Sequence, residues 1–128
     1  MADVTPIPHP YRVVMMGAPL ERWFGLSEEE KSEQFLPGFT RMLAAWEELG
    51  AEVVGSLTDD LLNVGPPATL EFVWFLLFDV MSLDVLAAMI NEIRREVDGV
   101  RMDAYVRFEA RVGRPFYARE EKWVDAPA

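Results

Sequence analysis

Four residues in the C-terminal third share a spacing that could hold a ligand. Tyr105, Arg107, Glu109 and Arg111 recur at every second position, so in an extended strand they stand on one face. Two guanidinium groups and a phenol on one wall suit an aromatic carboxylic acid. The arginines match the carboxylate oxygens, and the tyrosine stacks on a ring or hydrogen-bonds to it. The same pattern also suits a solvated edge strand kept charged against aggregation. The second candidate is the pair Asp59-Asp60. Adjacent carboxylates on a strand point to opposite faces and form an acid–base pair only across a bulge. Partly buried, one of them would serve as a general base. In a turn, both would accept local backbone hydrogen bonds.

Aromatic residues are plentiful at 12% of the chain, with seven methionines beside them. Trp23, Trp46, Trp74, Phe35, Phe39, Phe72 and Tyr105 could line a pocket for a flat ligand, or simply fill a core. The single histidine, His9, sits between Pro8 and Pro10 and reads as a surface residue of an extended arm rather than a base or an axial ligand. The chain has no cysteine, which excludes disulfides, thiolate nucleophiles and thiolate metal sites. No glycine-rich phosphate loop, nucleophile elbow or nucleotide fingerprint is present. The expectation is therefore no metal and no cofactor.

These residues need a scaffold, and the hydrophobic pattern supplies one. Three alternating prolines make residues 1–10 an arm. A first strand is predicted over residues 11–18, ended by Pro19. Ser27 with Glu30 forms a capping box, and a helical period follows through Phe35, Phe39, Met42, Trp46 and Leu49. Pro37-Gly38 predicts a kink, or a second helix starting at Pro37; Gly50 closes the element. A second strand is predicted over residues 52–57, with a continuation through 61–64, and a turn at Gly65-Pro66-Pro67. The third covers residues 70–78. Ser82 caps a helix over residues 83–97, and Asp98-Gly99 closes it. The fourth strand spans residues 101–111, and residues 113–128 form a tail carrying Phe116, Tyr117 and Trp123.

The order is βαββαβ: an α+β, ferredoxin-like single domain over residues 1–128, with a four-stranded antiparallel sheet in the order 4-1-3-2 and two helices on one face. Strand three is apolar on both sides, with Phe72, Trp74, Leu76 and Phe78 on one and Val73, Phe75 and Leu77 on the other. Two helices cover only one side. The other is expected to meet a second copy of the chain in a homodimer through the sheet face, with the tail as the competing cover.

Composition narrows the partners. A net charge of −10 disfavours nucleic acid and anionic membranes. The longest apolar stretch, residues 72–78, is too short to span a bilayer, and no secretory leader is visible, so the cytoplasm is the expected compartment.

Two segments carry a resemblance. Residues 55–65 (GSLTDDLLNVG) and 105–116 (YVRFEARVGRPF) resemble the IacB-type small proteins of indole-3-acetate degradation clusters. The βαββαβ layout is similar to the dimeric α/β-barrel superfamily, which includes cofactor-free monooxygenases, muconolactone-isomerase-like enzymes and haem-degrading enzymes. The resemblance marks Asp59, Asp60, Arg107, Glu109, Arg111 and Arg114, and implies a role near an aromatic acid. The expected function is an enzyme or binding protein for an indole-acetate-like acid in aromatic catabolism. Asp59 or Asp60 is the candidate base, and Arg107 or Arg111 holds the carboxylate. Trp74 and Tyr105 meet the ring, and Glu109 and Arg114 stand beside them. An enzyme of this kind would resemble a cofactor-free monooxygenase or isomerase. The alternative is a non-catalytic homodimeric accessory protein whose polar strand residues are structural.

Overall fold

The computed structural model describes residues 10–62, 64–65 and 72–115. His9 of the arm, Pro66-Pro67, residues 70 and 71, and the tail aromatics Phe116, Tyr117 and Trp123 lie outside the described residues. The strands are β1 (Tyr11–Pro19), β2 (Glu52–Thr58), β3 (Trp74–Val80) and β4 (Val106–Gly113). They form one antiparallel sheet in the order β2-β3-β1-β4. Between β1 and β2 lie α1 (Glu21–Phe24), α2 (Glu28–Glu30) and α3 (Leu36–Glu48); α4 (Leu83–Arg94) follows β3. The architecture is α+β and compatible with a ferredoxin-like fold.

Side-chain alternation sorts the sheet into two faces. Val13 and Met15 of β1 stand beside Phe78 and Leu76 of β3 in register, and this face meets the helices. Trp46 and Met42 of α3 and Leu86, Met89 and Ile93 of α4 complete the core. Trp46 is fully buried, and its indole N–H donates to the Met89 carbonyl at 3.0 Å. Its ring meets Phe78 edge-on at 5.3 Å. This one side chain ties both long helices to the sheet. Val14, Phe75 and Leu77 point the opposite way and are only half-buried. On that face, Arg12 donates two hydrogen bonds to Asp79 across β1 and β3, at 2.8 and 3.0 Å.

Helix ends follow local chemistry. Ser27 and Glu30 form the expected capping box: Ser27 Oγ accepts from the Glu30 N–H, and Glu30 Oε1 accepts from the Ser27 N–H. Gly50 takes φ of +109°, while the Gly50 and Ala51 N–H groups donate to the carbonyls of Glu47 and Trp46. These paired bonds close α3, and the left-handed conformation is one that glycine reaches without strain. Pro37 does not break the helix. A π-helical turn over Lys31–Phe35 joins α2 to α3 instead, and Pro37 falls in the first turn of α3. A proline ring clashes with the carbonyl four residues earlier; the wider π turn just before it makes the room.

Several boundaries depart from the pattern reading. Residues 61, 62 and 64 form no strand, and their side chains are exposed. β3 begins at Trp74 rather than at 70 and extends to Val80, because Asp79 pairs with Arg12 on the neighbouring strand. α4 stops at Arg94; Val97 and Val100 then bridge around Asp98-Gly99, both at positive φ. β4 starts only at Val106, since Met102–Ala104 is a 3-10 turn. Arg101 clasps Asp103 there with bonds of 3.0 and 2.7 Å, and the Leu20 N–H anchors the turn through the Tyr105 carbonyl.

Candidate functional site

A cavity of about 600 Å³ opens between the helix face of the sheet and the helices. Trp23 of α1, Phe35 of the π turn, Leu36, Phe39 and Leu43 of α3, and Trp74 and Leu76 of β3 line it. Val106, Val73 and Pro19 add apolar surface. Ser56 and Thr58 are the polar side chains of the wall, and no charged side chain lines it among the described residues. Small-molecule sites commonly have this size and apolar character.

The aromatic wall is continuous. Phe108 meets Trp74 edge-on at 5.7 Å, and Trp74 meets Phe39 at 5.6 Å. Phe39 stacks on Phe35 at 5.9 Å, and Phe35 meets Tyr105 at 6.1 Å. The π turn matters here because it ends at Phe35, the ring between α3 and Tyr105. Two cations stand against this wall. The Lys31 ammonium lies 4.0 Å from the Trp23 ring centre, and the Arg22 guanidinium lies 5.2 Å from that of Tyr105. Both are cation–π contacts. Spacing along the chain does not reveal them, because folding brings α1 against the π turn and against the turn before β4.

The sequence candidates separate into three places. Trp74 lines the cavity, and Tyr105 stands behind Phe35. Tyr105 belongs to the turn before β4, so it does not share the face of Arg107, Glu109 and Arg111. Those three do share a face, opposite the cavity. They pair in register with Ala18, Met16 and Val14 of β1, the residues that point away from the helices. Arg107 holds Glu109 at 2.8 Å and lies over the Phe72 ring at 5.0 Å. Within one chain, then, Arg107 and Arg111 do not reach a ring in the helix-side cavity. Val106 and Phe108 take the helix side, and alternation sends the arginines to the other. Arg114 is exposed past the end of β4.

Asp59 and Asp60 are exposed just beyond β2. The Asp59 N–H donates to the Val73 carbonyl at 2.9 Å, and the Thr58 hydroxyl donates to Asp60 Oδ1 at 3.0 Å. These are the local bonds of a strand end. Of the other aromatic candidates, Trp23, Phe35 and Phe39 line the cavity, whereas Trp46 is core. Among the described residues, no three histidine, aspartate or glutamate side chains gather as a metal site, and no helix is long and apolar enough to cross a membrane. No family model matches the chain, and no curated protein matches it.

Proposed function

We propose that this chain binds a small planar aromatic acid in the helix-side cavity and acts as a homodimer through the sheet face opposite the helices, in the manner of an IacB-type protein of aromatic catabolism. The observation that carries the reading is the cavity: about 600 Å³, walled by Trp23, Phe35, Phe39 and Trp74, with two hydroxyls as its polar side chains. Rings stack edge-on or offset on such walls. Outside that lining, Lys31 lies against Trp23 and bonds to Glu28 at 3.4 Å, and Arg22 lies against Tyr105; these are the cations that the reading assigns to the acid's carboxylate. Binding is the part of the function that the cavity supports. A hydroxyl is no general base at neutral pH, so a cofactor-free oxygenation or isomerisation would draw its base from beyond the wall, where Asp59 and Asp60 follow Thr58 in the chain.

The test is a thermal-shift series with indole-3-acetate, phenylacetate and neutral indole. Ligands bound at 100 times their dissociation constant stabilise by about 2.7 kcal/mol, which is readily seen. Both acids are expected to raise the melting temperature, with indole weaker and Trp74→Ala abolishing the effect. No shift with any of them at millimolar concentration overturns the reading.

A further inference from the structure

β4 is an edge of the sheet, and among the described residues no strand lies on its outer side. The ladder fixes which of its backbone groups are left over. The Gly17 carbonyl accepts from Val73 on the β3 side of β1, and the Leu20 N–H donates to Tyr105 on the β4 side. Successive residues of a strand send their N–H and C=O groups to opposite sides, so Val14, Met16 and Ala18 bond to β4, where Arg111, Glu109 and Arg107 stand opposite them. The N–H and C=O groups of Phe108, Ala110 and Val112 therefore point outward. The side chains of these three share the helix side with buried Val106, yet Ala110 and Val112 are exposed, so α4 leaves this half of β4 uncovered. Two hollows of about 330 and 540 Å³ adjoin along the strand and meet at Ile90. Together they form one groove between α4 and β4, apolar through Leu83, Ala87, Ile90 and Val112.

Charge says what the groove takes. Arg94 flanks one end, Arg114 flanks the other, and Arg111 stands on the far side of the strand. All three are exposed, and among the described residues none has a carboxylate partner. Three unpaired guanidinium groups around one groove stand out in a chain of net charge −10, and they call for carboxylates. We propose that this groove takes an extended acidic segment of another protein as a fifth strand beside β4, apolar on its helix side and carboxylate-bearing on the other. The outward backbone groups of Phe108, Ala110 and Val112 supply the ladder, and the side chains choose among sequences. Valine-like side chains lie in the groove against Ile90 and Val112, and a glutamate opposite Arg111 meets its guanidinium across the strands. A second copy answers this charge poorly, because two identical edges bring the same three unpaired guanidinium groups together twice.

The probe is the fluorescein-labelled peptide Val-Glu-Val-Thr-Val-Glu-Val, whose symmetric pattern suits either strand direction and sets threonine opposite Glu109. Fluorescence anisotropy on the full chain is expected to show binding, weaker by roughly tenfold or more when lysine replaces glutamate in the peptide. Arg111→Glu and Arg94→Glu are each expected to weaken binding roughly tenfold. Ala110→Pro removes an outward N–H and leaves the β1 ladder alone, so it is expected to abolish binding with little change in melting temperature. Should that variant fail to fold, amide hydrogen exchange on the wild type decides. The amides of Phe108, Ala110 and Val112 are expected to exchange freely without peptide and to become protected with it, while those of Glu109 and Arg111 are protected throughout. A peptide that does not bind, that binds equally well with lysines, or that leaves those three amides unprotected overturns the proposal. Amides already protected in the chain alone, or a wild-type dimer that dissociates as the peptide binds, assign the edge to the chain itself or to a second copy and overturn it too.

Discussion

The indole of Trp74 lies across Gly17, its cross-strand neighbour, in the space where a side chain at position 17 would begin. A methyl group there would overlap the indole atoms Cζ2, Cε2 and Nε1. The glycine is thus what lets Trp74 lie against β1 while its other contacts run to Phe39 and Phe108. Gly17→Ala forces the ring outward, and overpacking of this kind costs about 1–3 kcal/mol. Urea titration is expected to show that loss, together with weaker binding of aromatic acids. Trp74→Leu should relieve the clash, so the double variant is expected to be more stable than the sum of the two single effects. Strict additivity would show that the contact is unimportant.

The sequence reading was strongest where one period decides. The capping box at Ser27, the closure at Gly50, and the apolar stripe of Phe35, Met42 and Trp46 are all written in short-range spacing, and each stands in the fold. Three of the ring candidates, Trp23, Phe35 and Phe39, join Trp74 in one cavity. What failed was less local. Residues 102–105 alternate as a strand would, but Met102 instead packs into the notch at Gly38, and the Arg101–Asp103 clasp holds a turn. Alternation also placed Arg107 and Arg111 together correctly. It does not say which side they take; Val106 and Phe108 take the cavity side once α4 and α3 cover it, and the arginines take the other.

Trp46 offers a test of how the two long helices are joined. Its N–H bond to Met89 is buried and links α3 to α4. Trp46→Phe keeps most of the ring against Phe78 but removes the donor, and a lost buried hydrogen bond costs about 1–3 kcal/mol. Trp46→Ala leaves a cavity as well and should cost about 3–5 kcal/mol. Both are expected as lowered denaturation midpoints. A Phe variant as stable as the wild type would mean that the packing of the ring, and not its N–H, holds the helices.

The N-terminus of α2 makes a pH-dependent contribution whose sign is fixed. The Ser27 backbone N–H, and then its hydroxyl, favour the charged form of Glu30 and hold its pKa below the ordinary carboxylate value. A carboxyl with a lowered folded-state pKa stabilises the fold above its unfolded pKa, and that contribution fades as pH falls through the folded pKa. The wild type and Glu30→Gln should therefore differ most at neutral pH and converge in acid. Thermal melts across pH 2–7 read this directly, and a constant difference down to the lowest pH would contradict it.

The Arg12–Asp79 pair tests what covers the sheet face on which it lies. It joins β1 and β3 with two bonds, and both side chains are largely shielded, at 28% and 14% exposure. Removing one partner from such a pair strands the other charge in a place water reaches poorly, whereas replacing both with apolar groups of similar volume is often neutral or better. Arg12→Met alone leaves the Asp79 carboxylate without its guanidinium and is therefore expected to destabilise by about 3 kcal/mol. Arg12→Met with Asp79→Leu should recover most of that loss. The two also differ in assembly. If a second copy closes over this face, the double variant adds apolar surface to the contact and should dimerise at least as tightly as the wild type, while the single variant dimerises less. Sedimentation of the three proteins at matched concentrations reads this out. A double variant that is stable yet monomeric, beside a dimeric wild type, would show that the pair itself is part of the contact.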